Sequence, residues 1–177
     1  FPHPQAFRIR LDDLRRPEIR ERLRLVWTDP LALDPARYSA AVTCEISDLL
    51  AKLAKSLEQA GHAPRQVADF LCRCLFCMFA EDAGLLPAAS FTHLLDSVRA
   101  DPAQFQPLAE QLFREMNTGT AGRISVVLRH ALKRFNGGLF ADATALDLDA
   151  DQITSLHEAA QFDWKAVEPA IFGTLLQ

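Results

Sequence analysis

The stretch FLCRCLFCMFAEDAGLLP, Phe70 to Pro87, holds Cys72, Cys74 and Cys77 and then, at once, Glu81 and Asp82. Clustered thiols are the raw material of a zinc site or a redox centre, and adjacent carboxylates are that of general acid–base catalysis. On a helical wheel of about 100° per residue with Gln66 at the origin, the three thiols fall near 20°, 80° and 240°. They fan outward, whereas tetrahedral zinc needs four convergent ligands. Cys74-Leu-Phe-Cys77 sits mid-helix, away from the N-terminal dipole that activates redox thiols. Core packing is therefore the expected role, and no metal is expected.

Glu81 and Asp82 fall inside the apolar arc of the same wheel, at a helix C-terminus where the dipole disfavours negative charge. A cation or a set of backbone amides must meet them. The structural versions are an ion pair with an Arg of another helix or the capping of a neighbouring helix; the chemical version is a catalytic carboxylate pair. No nucleophile, metal ligand or glycine-rich cradle accompanies them, which favours a structural role. His3, His62, His93, His130 and His157 are scattered, and no phosphate-binding loop follows a strand.

The elements that position these residues read as helices. PEIRERLRLVW places Ile19, Leu23, Val26 and Trp27 at helical spacing after Pro17. Asp34 and Pro35 open a longer helix with Val42, Ile46, Leu49, Leu50, Leu53 and Leu57 in one stripe, closed by Gly61. The central apolar helix is expected over about 65–83 with Gly84 as its stop. Gln66, Asp69, Arg73, Cys77 and Ala80 form its one narrow, less apolar side. Ser90 is the expected cap of FTHLLDSVRA, and a helix after Asp101-Pro102 carries a kink at Pro107. Asp149 and Gln152 have capping-box spacing ahead of another helix, and a last one follows Asp163. Strand is limited to an N-terminal arm, residues 1–14, or a hairpin at Asn136-Gly137. The fold class is all-α, a compact multi-helix domain around the central helix.

RISVVLRHALKRF sorts on a helical wheel into an apolar face with Ile124, Val127, Leu128, Ala131, Leu132 and Phe135 and a basic one. Arg123, Arg129, His130, Lys133 and Arg134 share that second face. It is a candidate for phosphate contact with double-stranded DNA, against the plainer alternatives of a solvated face or a dock for the acidic C-terminal third.

The 177 residues are 49% apolar, enough for one domain with a real core. A net charge of −4 argues against indiscriminate nucleic-acid binding. That sum hides segregation, with three Arg and one Lys against no acid over 121–140, and seven acids against one Lys over 141–177. No apolar run is long enough to span a membrane, and the four cysteines suit reduced thiols of the cytoplasm. A start at Phe1 and an uncapped apolar end, PAIFGTLLQ, read as a piece of a longer polypeptide.

FLCRCLFCMFAEDAGLLP, FTHLL, LFREMNTG, FNGGLF and DWKAVEPAIFGTLLQ, in this order, resemble the helical spacer region of MmeI-like type IIL restriction-modification proteins and related large DNA methyltransferases. The resemblance implies a single spacer domain over 1–177, with the closing segment 163–177 leading toward a methyltransferase domain. It implies flanking endonuclease and DNA (adenine) methyltransferase domains in the same chain, with S-adenosylmethionine bound by the latter and no cofactor here. Neither an N-P-P-Y-type motif nor a nuclease D…E-x-K set is present, so no catalytic residue is implied. The positions that carry the resemblance are Glu81, Asp82, Asn136, Gly137, Gly138, Trp164, Pro169, Phe172 and Gly173. The expected role is a non-catalytic connector; the alternative is a stand-alone helical interaction module using the apolar face around IFGTLLQ.

Overall fold

A computed structural model describes residues 9–120, 122, 124–135 and 138–167. Every regular element among the described residues is helical, as expected. The chain forms two compact units, Phe1–Ala41 and Val42–Gln177.

In the first unit, Leu11–Arg15 is a short 3-10 turn where the sequence allows a strand or extended arm, and residues 1–8 of that arm lie outside the described residues. The reason is local: the Asp13 carboxylate accepts the Arg10 amide at 2.9 Å, giving the backbone a turn in place of a ladder. Helix α1 (Pro17–Thr28) starts at a proline whose missing N–H would have had no partner there. The Arg20 guanidinium bonds the Leu14 and Arg15 carbonyls, and Arg24 pairs with Glu21 through two bonds of 2.8 and 2.6 Å. Helix α2 (Pro35–Gln59) opens in this unit and runs on into the second.

The second unit is built around α3 (Pro64–Asp82), of whose 19 residues 11 are buried. Beside it lie α2, presenting buried Ile46, Leu50, Leu53 and Leu57, α4 (Ser90–Val98), α5 (Phe105–Thr118) and α6 (Ala150–Ala160). The narrow polar side expected for α3 exists only in its first turns: Gln66 is exposed, whereas Arg73, Cys77 and Ala80 are buried. The chain beyond α5 folds over this side, and the Arg73 guanidinium donates to the Thr144 carbonyl at 2.8 Å and lies 5.6 Å from the Phe113 ring centre. After α3, Gly84 takes φ +74° and lets the Leu85 and Leu86 amides return to the Ala80 carbonyl. Pro107 lies in the first turn of α5, where a missing N–H costs no helical bond, so it imposes no kink of the kind expected.

The segment Arg123–Phe135 is expected as an amphipathic helix, and its described residues, 124–135, are instead an irregular loop. Side chains capture its backbone before a helix can. The Ser125 hydroxyl donates to the Glu115 carboxylate and accepts the Val127 and Leu128 amides, and Glu115 also accepts the Val126 amide at 3.2 Å. The Thr120 hydroxyl accepts the Leu132 amide at 2.8 Å while the Thr120 amide donates to the Leu132 carbonyl. Arg129 sits in the left-handed region at φ +53°, incompatible with helix continuation. Ile124, assigned to the apolar face, is consequently 68% exposed.

The two phenylalanines of FNGGLF anchor the chain as it leaves this loop. Phe135 and Phe140 each pack edge-on against Phe76 of α3 with ring centres 5.5 Å apart, and Phe140 also meets Phe113 of α5 at 5.6 Å. Truncating Phe140 removes the shared member of this cluster. Phe140→Ala is expected to destabilise the chain by about 3–5 kcal/mol, read as a lower urea midpoint. A change under about 1 kcal/mol would show that the cluster is incidental.

Candidate functional site

The carboxylate pair is met by amides. At the end of α3, Glu81 is 6% exposed and reaches the first turn of α4. Its Oε2 accepts the Phe91 amide at 2.8 Å and the Thr92 amide at 3.3 Å, and its Oε1 accepts the Thr92 hydroxyl at 2.6 Å. Those amides are among the four that a helix start leaves open, and they carry the positive end of the helix dipole. Glu81 thus caps α4 from another helix.

This displaces the cap expected from the sequence. Ser90 is the first helical residue, and its hydroxyl is buried with no hydrogen-bond partner among the described residues. Ala89, at φ +54°, holds the position where a capping side chain would sit.

Asp82 accepts the Trp164 amide at 2.8 Å, and the buried Trp164 indole donates to the Ala159 carbonyl at the end of α6 at 3.0 Å. Consecutive carboxylates therefore tie the C-terminus of α3 to the start of α4 and to the chain beyond α6. A cleft of about 330 Å³ opens beside them, lined by Glu81, Asp82, Thr92, Phe162 and Asp163. Burial pushes the Glu81 carboxyl above its ordinary value, opposed by the Thr92 hydroxyl and the Phe91 and Thr92 amides and assisted by the Asp82 charge.

The thiols are core atoms. Cys72, Cys74 and Cys77 are buried, and burial raises all three pKa values, so they stay protonated and unreactive near neutral pH. The Cys77 sulfur lies 3.7 Å from that of Met116. Cys44 is exposed.

Of the basic set, Arg129, Lys133 and Arg134 are exposed on the loop, and Arg123 lies outside the described residues. Arg134 already donates to the Asn117 carbonyl at 3.1 Å, and its backbone is so close to Gly119 that a Cβ there would stand 3.0 Å from the Arg134 nitrogen. The helix face that was to gather these cations is not formed. Gly138 takes φ +80°, while Asn136, Gly137, Pro169, Phe172, Gly173 and the IFGTLLQ face lie outside the described residues.

Sequence reasoning misses the roles of two residues. Arg73 falls on the less apolar stripe of the wheel although it stands in an otherwise apolar run, CRCLFC, which is the available signal of its burial. Glu115, which fastens the 124–130 loop, has no local signature because its partners lie ten and eleven residues away.

The folded pKa of Glu81 is raised, so the native chain holds its proton more tightly than the unfolded chain. The associated stability is complete below the ordinary value of 4.5 and is lost as pH rises through the raised value. Glu81→Gln, which cannot titrate and turns an amide donor toward the α4 donors, is expected to cost about 1–3 kcal/mol at neutral pH. The cost should be larger below pH 4.5 than at pH 7. Urea unfolding of both proteins across pH checks this; a cost that grows with pH would contradict it.

Residues 65–140, from the first turn of α3 to Phe140, match the family described as MmeI, helicase spacer domain. DNA methyltransferase A of Bacillus subtilis (strain 168) is 30% identical over 111 residues, which are 61% of this chain and 12% of that protein. The chain therefore spans a small part of that relative's length. No solved structure matches the chain. The matched span contains the Glu81 cap of α4, the Glu115 anchor and both phenylalanines of FNGGLF. Over residues 65–140, this chain is similar to the MmeI helicase spacer family.

Proposed function

We propose that this chain is the connector of a cytoplasmic restriction-modification protein, a helical block without chemistry of its own between endonuclease and DNA (adenine) methyltransferase domains. The observation that carries this reading is the use of Glu81 and Asp82. The carboxylates best placed for catalysis are committed to backbone amides, and they lie within the residues matching the spacer family. A carboxylate that holds a helix start is occupied by its donors and is not free to move a proton. The similarity to a Bacillus subtilis DNA methyltransferase supports a methyltransferase in the parent, and S-adenosylmethionine would be bound by that other domain.

The expected outcome for the purified chain is a folded, helical protein that neither transfers methyl groups from S-adenosylmethionine to duplex DNA nor cuts it. Labelled-methyl incorporation and plasmid cleavage measure the two. Methyl transfer by the chain alone would end the connector reading.

Contact with DNA phosphates is the finer part of the proposal. Its support is the exposure of Arg129, Lys133 and Arg134 and the lack of acids over residues 121–140. Reversing the three charges should lower the slope of log affinity against log salt by about 0.9 for each phosphate that is no longer neutralised, measured by anisotropy with a labelled duplex. An unchanged slope would show that these side chains do not touch the DNA backbone.

A further inference from the structure

A second groove, of about 530 Å³, lies between the start of α4 and the 126–129 turn, with Leu108 of α5 also lining it. That size is within the range of about 300–1,000 Å³ typical of binding clefts. Pro87, Leu94, Leu108, Val126, Val127 and Leu128 supply its apolar side and Ser90, His93, Ser97 and Arg129 its polar side, and among the described residues no carboxylate lines it. The turn is built, not slack: Glu115 holds Ser125 and Val126, and Ser125 holds the Val127 and Leu128 amides.

Two features of this groove are unexplained by packing within the unit. Val126 is 77% exposed on the groove and Ile124, two residues before it, is 68% exposed. The Ser90 hydroxyl, on the groove lining, is an orphaned buried polar atom.

We infer that this groove receives an acidic, amphipathic protein segment from a neighbouring domain of the same polypeptide, its apolar side on Val126 and its carboxylate at Arg129. The inference rests on the connector reading, in which another domain must abut this one, and it assigns Arg129 to that domain, leaving Lys133 and Arg134 for DNA phosphates. Charge complementarity selects the occupant, because the described lining has a cation and no anion. The exposed apolar residues select protein over DNA, since phosphate gains nothing from Val126 or Ile124. They also extend beyond the groove, where a small molecule would leave them wet.

Hydrogen exchange on the parent polypeptide, compared with the isolated 177-residue chain, tests this. Without DNA, amides of residues 90–98 and 124–130 are expected to exchange at least about tenfold more slowly in the parent. Val126→Asp should return them to the rates of the isolated chain while α3 keeps its protection. Arg129→Gly, which removes the charge and relaxes the backbone, should do the same without loss of folding. Equal rates in parent and isolated chain would overturn the inference, as would slowing that both variants retain. Slowing only after duplex DNA is added would also overturn it, naming DNA as the occupant. Methyl transfer by the isolated chain would end the connector reading while leaving the exchange comparison intact, so the two failures are distinguishable.

Discussion

A buried carboxylate at the end of one helix closing the open amides of the next is the constraint around which the second unit is arranged. Glu81 stands where the α3 dipole repels negative charge and where burial penalises it. Three donors from α4 oppose that cost without cancelling it, two of them amides that would otherwise lie unpaired. The bond fixes where α4 begins relative to α3, and Phe91, Leu94, Leu95 and Val98 are then buried as a consequence. Asp82, one residue on, does the same for Trp164.

The device recurs. Glu115 fastens the loop after α5, Asp149 closes the start of α6 in a reciprocal pair with Gln152, and the Asp142 carboxylate accepts the Thr144 amide and hydroxyl. Gln152 goes further, its amide reaching Ser56 of α2 at 2.9 Å. Acidic and amide side chains here work mainly as fasteners of backbone, including the backbone of described residues between α5 and α6 that lie outside any helix.

The long, strongly periodic helices and the local signals are legible in the sequence. The α2 stripe and the Asp149-Gln152 box are readable because each is a short-range pattern with one physical reading. The fate of Glu81 is legible as a question: its place on the wheel demands a cation or amides, and amides meet it. The loop at 124–135 reads wrongly as a helix because an apolar repeat at helical spacing is also compatible with a turn whose hydrogen bonds come from distant side chains. Glu115 and Thr120 decide that competition, and their roles exist only once α5 is in place. Ser90 fails as a cap because the Glu81 carboxylate, at the end of the preceding helix, takes the open amides of α4.

Everything above turns on Glu81 and the α4 start stabilising one another directly. A double-mutant cycle between Glu81→Ala and Thr92→Val, by urea unfolding at neutral pH, isolates that coupling. A coupling of about 1–3 kcal/mol is expected, because the bond between the Thr92 hydroxyl and the Glu81 carboxyl vanishes with either partner. Additive losses, within about 0.5 kcal/mol, would contradict it and leave α4 held by packing alone.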